Sequence, residues 1–225
     1  SYGVTGRQAG SDYQSIQTYT SRGTSYYMDG AWIPAYAPSK NANYDLAWEL
    51  GISSDIGIDF DIFNRLRGSV EYFDRRSKNL LYNYTAPQPP FVYNSILLNL
   101  GSTKNTGFEV SLDGDVMKKK NFSWGMSSTY STGKTILTKL SNDLFKASYI
   151  DIRARGGAGS SEYFFRLEEG GTVGEVYGYE HAGVDPTGQL LVWSKEGEAI
   201  PKTSADNSDK KHIGNTAPKH FLSWT

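Results

Sequence analysis

Tyr44-Asp45-Leu46-Ala47-Trp48-Glu49-Leu50-Gly51-Ile52-Ser53-Ser54-Asp55-Ile56-Gly57-Ile58-Asp59-Phe60-Asp61-Ile62 is the stretch that decides the fold class. Nine of its ten even positions are apolar, Ser54 being the exception. Its odd positions carry no large apolar residue, and five are acidic: Asp45, Glu49, Asp55, Asp59 and Asp61. Side chains alternate between faces along a β-strand, so this pattern predicts a strand with one greasy and one wet face. The length is as telling as the period. At roughly 3.3 Å per residue an unbroken strand here spans about 60 Å. Strands of globular proteins usually hold about 5–6 residues, and about 9–11 suffice to cross a bilayer. The reading is a strand that crosses a membrane and projects beyond it. Two shorter soluble strands bent near Gly51 are the alternative.

The next segment predicts a hairpin. Leu66, Gly68, Val70 and Tyr72 alternate with Arg67, Ser69 and Glu71. A three-residue turn, Phe63-Asn64-Arg65, sets Ile62 opposite Leu66, Ile58 opposite Val70 and Asp61 opposite Arg67, so both faces match chemically. A one-residue slip mixes the faces. A second hairpin runs from Phe108, Val110, Leu112 and Val116 through a turn at Met117–Asn121. It returns along Phe122, Trp124, Met126 and Tyr130, with Ser123, Gly125, Ser127 and Thr129 between them. Aromatics near strand ends suit an interfacial girdle.

Connections alternate in length. The turns are short, whereas residues 9–43, 83–104, 137–165 and 186–217 are long, polar or proline-bearing. Short turns at one end and long loops at the other are the habit of outer-membrane barrels. If residues 1–8 run outward, 44–62 run inward, 65–84 outward, 105–117 inward and 121–135 outward. An inward strand near 172–193 then precedes an outward one starting near 219, for about seven strands. The fold class expected is all-β: an antiparallel transmembrane β-barrel segment with long extracellular loops. Ser1-Tyr2-Gly3-Val4 lacks the basic and then apolar regions of a signal peptide, and Phe221–Thr225 reads as the start of a strand. Bacterial barrels close with an even strand number, so the expectation is part of a larger polypeptide.

Composition agrees with many strands and turns. Aromatics are 14%, with 16 Tyr, and there are 24 Gly. A net charge of −1 favours no nucleic acid. Cys is absent, which removes disulfides, thiolate catalysis and Cys-ligated metal sites. No apolar run reaches the roughly 18 residues of a membrane helix, which leaves barrel strands untouched.

The chemistry-bearing motifs are weak, and the expectation is a protein that is not an enzyme, with no catalytic, cofactor or metal residues. His181, His212 and His220 make no His-Glu-x-x-His pattern and read as loop or rim residues. Gly133-Lys134-Thr135 is similar to a phosphate-binding loop, but Ser128 stands where its first glycine belongs, and the segment follows a strand. Asp206-Asn207-Ser208-Asp209 could hold Ca²⁺ but lacks the glycine and distal Glu of a calcium loop, so a solvated loop is the reading. Asp55, Asp59 and Asp61 read as lumen solvation offset by Arg67 rather than glycosidase carboxylates. Tyr26, Tyr27, Trp32 and Tyr36 lie where an extracellular loop is expected. They can stack on sugars or anchor a partner, or pack the loop on its neighbours.

Several segments together resemble the SusC/RagA group of TonB-dependent outer-membrane transporters of Bacteroidetes. They are Ser1-Tyr2-Gly3-Val4-Thr5-Gly6-Arg7-Gln8; Asn41-Ala42-Asn43-Tyr44-Asp45-Leu46-Ala47-Trp48-Glu49; and Asn64 through Asp74. Asn99-Leu100-Gly101 with Asn105 through Leu112, and Phe122-Ser123-Trp124, continue the series. Glu169-Gly170-Gly171 through Asp185-Pro186, and Ile213-Gly214-Asn215-Thr216-Ala217-Pro218-Lys219, complete it. Ala42, Ala47 and Ala217 replace commoner family residues, and residues 137–165 have no clear counterpart. The resemblance implies a barrel of about 22 strands filled by an N-terminal plug, of which residues 1–225 are a partial barrel domain without the plug or the C-terminal strands. It implies outer-membrane import energised by TonB, a SusD-like surface lipoprotein as partner, and oligosaccharide or peptide substrates. The alternative is a soluble β-sandwich that binds carbohydrate on aromatic loops. A passive porin or autotransporter barrel would share the fold without these motifs.

Overall fold

The structure is a computed structural model, and it describes residues 1–8, 10–142, 146–152 and 164–225. Its strands are β1 Tyr2–Arg7, β2 Tyr19–Met28, β3 Ala31–Pro38, β4 Glu49–Ile62, β5 Leu66–Thr85, β6 Ser95–Lys119 and β7 Phe122–Lys139. Short strands follow: β8 Tyr149–Ile152, β9 Phe165–Glu168, β10 Glu175–Gly178, β11 His181–Val184, β12 Leu190–Trp193, β13 Ala199–Pro201, β14 Lys211–Asn215 and β15 His220–Trp224. A six-stranded sheet has the order β1-β4-β5-β6-β7-β15; smaller sheets are β14-β10-β9-β8, β11-β12-β13 and β2-β3.

The all-β class holds, and several boundaries differ from expectation. The strand anticipated from Tyr44 begins at Glu49. Asn43 ends the alternation early: its side-chain oxygen accepts from Asp45 N–H (3.2 Å) and its carbonyl from Leu46 N–H (3.3 Å), which folds a turn at Tyr44–Asp45. The first short turn falls at Phe63–Arg65 as anticipated. Arg65 N–H donates to Ile62 C=O, with Phe63 and Asn64 at φ 57° and 53°, the left-handed pair that a twisted hairpin favours. Glu71 lies beside Gly57 and Phe60 beside Gly68, in agreement with the anticipated register. The second turn is Lys120–Asn121, shorter than the Met117–Asn121 expected, because β6 runs on to Lys119.

Two expected connections are largely strand. Residues 83–104 contain the end of β5 and the first ten residues of β6, leaving 86–94 as the loop. Residues 9–43 contain the β2–β3 hairpin. The larger correction is at 172–193. No seventh long strand forms among the described residues there; β10, β11 and β12 are short pieces of side sheets. β15 pairs antiparallel with β7, Leu222 opposite Tyr130 and Trp224 opposite Ser128. So β15 runs opposite to β7, inward in the sense used above, and the described residues between them form no further strand of the six-stranded sheet. The sequence count fails because it sets the strand starting near 219 to run outward, which requires an inward strand before it; β15 is itself the inward neighbour of β7.

The chain divides into two units, residues 1–54 with 75–103 and residues 55–74 with 104–225. In the first, β1 pairs with β4, and Ile96, Leu98 and Leu100 of β6 are buried with Ala86. Asn79, at φ 58° inside β5, marks a bulge, and its carbonyl accepts from Asn99 Nδ2 at 2.7 Å. In the second, Phe73, Leu137, Leu140 and Val192 are buried. No side chain among the described residues is fully buried. Ile56 is 73% and Ile58 68% exposed. A sandwich would cover that row with a second sheet.

Candidate functional site

The first unit holds the aromatic hairpin. Tyr27 is opposite Trp32, Tyr26 opposite Ile33 and Ser21 opposite Tyr36. Cross-strand partners share a face and faces alternate along a strand, so Trp32, Tyr36 and Tyr27 share one face and Tyr26 lies on the other with Ile33. Tyr27, Trp32 and Tyr36 are 62%, 62% and 65% exposed. Tyr27 and Trp32 meet edge to face at 5.5 Å. Trp32 and Tyr36 are four residues apart on β3, about 13 Å along a strand. The sequence grouped four aromatics; the structure brings three together and turns Tyr26 away. Tyr26 and Tyr27 are adjacent on β2, so their side chains take opposite faces, and the pairing of Tyr27 with Trp32 fixes which face each takes.

An asparagine clasp fixes the base of this excursion. Asn41 is buried; its Nδ2 donates to the carbonyls of Tyr93 (2.7 Å) and Ser95 (2.8 Å), and its Oδ1 accepts from the N–H groups of Val92 (3.1 Å) and Tyr93 (3.2 Å). Asn43 Nδ2 donates to Leu97 C=O at 2.9 Å. Asn99 exchanges two bonds with the backbone of Ala47, each 2.8 Å. Sequence reading noted these asparagines as motif letters and missed their work. The signal was there in Asn41, Asn43 and Asn99, polar residues flanking strands where a side-chain amide can replace a missing ladder partner.

In the second unit, Asp59, Asp61, Arg67 and Asp113 line one shallow cleft of about 510 Å³ with Ser69 and Ser111. Hence Asp59 and Asp61 come together with Arg67 as the sequence suggested, whereas Asp55 does not line this cleft. A second polar face belongs to the sheet β14-β10-β9-β8. Arg166 donates to both carboxylate oxygens of Asp151, 2.7 Å from Nε and 3.0 Å from Nη2. Its guanidinium stacks on Tyr149 (3.8 Å) and Tyr177 (3.7 Å). The hydrogen bond to Asp151 holds the Arg166 pKa above its usual value, against the opposing effect of burial. His212 lies 3.1 Å from Glu175 and 3.5 Å from Glu168, and edge to face with Tyr177. With its charge and both ring contacts satisfied inside the sheet, Arg166 is a rigid support for this face.

The histidines are therefore strand residues rather than loop residues: His181 is on β11, His212 on β14 and His220 on β15. His220 Nδ1 hydrogen-bonds the Tyr130 hydroxyl at 2.8 Å. Gly133-Lys134-Thr135 lies within β7. Asp206–Asp209 forms a capped 3-10 turn instead of a solvated loop. Asp206 accepts from Ser208 N–H (2.6 Å), and buried Asp209 accepts from Asp206 N–H (2.9 Å) and Lys195 N–H (2.9 Å). The carboxylates serve backbone amides, and the Asp206 pKa falls through its bonds to Ser208. Asp185 likewise accepts from the Thr187 hydroxyl and from Thr187 and Gln189 N–H, which lowers its pKa. Among the described residues no group of three or more metal-binding side chains is clustered.

Comparison with known proteins adds the following. Residues 1–189 match the family model described as TonB dependent receptor-like, beta-barrel. A TonB-dependent receptor of Formosa agariphila is 30% identical over 82% of this chain and 16% of its own length. The TonB-dependent receptor SusC of Bacteroides thetaiotaomicron is 24% identical over 80% of this chain and 18% of its own. The RagAB peptide importer in its open-open state superposes with a TM-score of 0.78 at 23% identity, over 99% of this chain and 24% of that one. The chain thus spans under a quarter of the length of these proteins.

Proposed function

This chain belongs to the TonB-dependent receptor-like β-barrel family, with SusC-like relatives, and from that premise we propose that it supplies wall, lumen lining and outer loops to an active nutrient importer. The importer sits in the outer membrane of a Gram-negative bacterium. Residues 1–225 form a partial barrel domain; a plug and further strands belong to the same transporter. It works by binding and gated passage, without covalent chemistry, and draws energy from the TonB complex. A SusD-like surface lipoprotein is its partner. The cargo is an oligosaccharide, which can lie along the aromatic face of Tyr27, Trp32 and Tyr36; a peptide is the second cargo class.

The single observation that carries this reading is the exposure of Ile56 and Ile58 beside the acidic row of Asp55, Asp59 and Asp61. In water such a row would drive association. In a bilayer it faces lipid while the carboxylates face a wet pore. The test uses the full-length protein in its native host. Expected are recovery in the outer-membrane fraction and uptake of labelled oligosaccharides that stops when the TonB complex is removed. Uptake of labelled oligopeptides alone would move the cargo to the second class. If residues 1–225 expressed without detergent gave a soluble, cooperatively melting monomer, the importer reading would fail.

A further inference from the structure

We propose that the second unit carries a binding site for the phosphate groups of an outer-leaflet glycolipid, centred on Lys134 and Lys219; this rests on the outer-membrane reading above. The site is a cleft of about 1090 Å³ where two partners of β7 part. Thr132 pairs with His220 on β15, whereas Ile136 bridges to Thr172 and Val173 N–H donates to Thr135 C=O. Lys134 stands at the fork between them. Lys219, His220 and His212 line the cleft with it, and Tyr72 and Phe108 supply an apolar side.

Charge and depth both point to a lipid headgroup. Among the described residues, Glu175 is the one carboxylate lining the cleft, and His212 (3.1 Å) and Thr172 N–H (3.1 Å) occupy it. Lys134 and Lys219 have no carboxylate within ion-pair distance among the described residues. Among the described residues the cleft therefore presents two ammonium groups without a paired carboxylate, with Thr106 at its wall. The Thr132 hydroxyl donates to the Lys219 carbonyl (2.7 Å) and holds that segment against β7. Two ammonium groups in one cleft suit a phosphate monoester.

The even face of β7 measures the depth. Phe122, Trp124 and Met126 are exposed and apolar, and the face then turns polar through Ser128, Tyr130, Thr132 and Lys134. Phe122 to Lys134 is about 40 Å along a strand, or roughly 30 Å in height at the usual barrel tilt, against an apolar band of about 25 Å. Lys134 thus stands just past the greasy band, at the end of the sheet where the long connections lie, level with headgroups. Tyr72 and Phe108 share that face as even, exposed positions and offer a seat for an acyl chain.

The test uses the full-length protein in nanodiscs of phosphatidylethanolamine doped with a diphosphorylated, lipid A-type glycolipid. Glycolipid retained per protein is counted by native mass spectrometry. Wild type should enrich the glycolipid over the bulk. Lys134→Glu combined with Lys219→Glu should weaken retention roughly tenfold or more, and Lys120→Glu, in the turn at the opposite end of β7, should leave it unchanged. Equal retention in wild type and the double variant overturns the proposal. So does binding of inorganic phosphate in undoped nanodiscs without glycolipid enrichment, which makes the cleft a soluble-anion pocket. Wild type that does not insert at all overturns the importer reading as well, so the two failures are told apart.

Discussion

The ring of Phe73 lies over Gly107 so closely that a methyl group there would sit 2.3 Å from Phe73 Cζ and 2.4 Å from the Thr132 carbonyl oxygen. The ring also reaches Gly133, whose added methyl would stand 3.6 Å away. Gly107 is needed for what lies above it, a buried ring spanning three strands.

Replacing Gly107 with Ala should therefore destabilise the barrel by about 1–3 kcal/mol through overpacking. Phe73→Ala should cost about 3–5 kcal/mol through the cavity it leaves. The double variant should cost less than the sum, because the alanine methyl partly refills the space. Urea unfolding of the full-length protein in detergent measures all three, and strict additivity would contradict the packing described.

Asn41→Ala should release the loop 86–94 without unfolding the sheet. Four hydrogen bonds at about 1 kcal/mol each are removed, and the backbone groups of Val92, Tyr93 and Ser95 lose their partner. Hydrogen exchange at Val92 and Tyr93 should accelerate by two orders of magnitude or more while exchange in β7 stays unchanged. Asn41→Asp keeps the acceptor and should fall between the two.

The turn after β11 should loosen in acid. The folded pKa of Asp185 lies below its ordinary value because its carboxylate accepts the Thr187 and Gln189 bonds. A depressed folded pKa means a stabilisation present above the unfolded pKa, near 4, and lost as pH falls through the lower folded value. Exchange protection at Thr187 and Gln189 should be level from pH 7 to about 4 and fall below that; Asp185→Asn should abolish the pH dependence.

Lipid contact predicts an asymmetry between neighbours. Ile58→Lys should destabilise the folded protein in bilayers by about 2–4 kcal/mol near the midplane, less toward an interface. Asp59→Lys, on the other face, should change stability by much less. Equal effects would mean that the two faces see the same solvent.

The hairpin separates its aromatics by face, and binding should follow. If the proposed oligosaccharide cargo lies along this face, Trp32→Ala and Tyr36→Ala should each weaken its binding several-fold, at roughly 1 kcal/mol per lost stacking contact. Tyr26→Ala, on the face of Ile33, should have little effect. Titration calorimetry with the full-length protein distinguishes them.

The motif letters were legible in sequence, but their meaning lay in pairs. Gly6 of the first segment lies under Trp48 of the second: a methyl on Gly6 would sit 2.8 Å from Trp48 Cε3. Gly174, at φ 93°, is gripped by the Asn215-Thr216 segment, Thr216 N–H donating to Gly174 C=O at 3.0 Å. Each motif half looks unremarkable because its partner is about 40 residues away along the chain. The Lys134–Lys219 cleft was hidden for the same reason, since the fork in the partners of β7 is a property of pairing.

Period and length, which are local, came from the sequence alone: a greasy row and an acidic row on one ribbon, short turns at one end, and an all-β chain. Those follow because alternate side chains point to opposite faces whatever lies alongside. Tertiary structure alone decided that β15 rather than residues 172–193 lies beside β7, and that asparagine side chains clasp the hairpin excursion to the segment at 92–97. Such choices depend on hydrogen bonds between segments distant in sequence, and a one-dimensional pattern does not specify which backbone finds which partner.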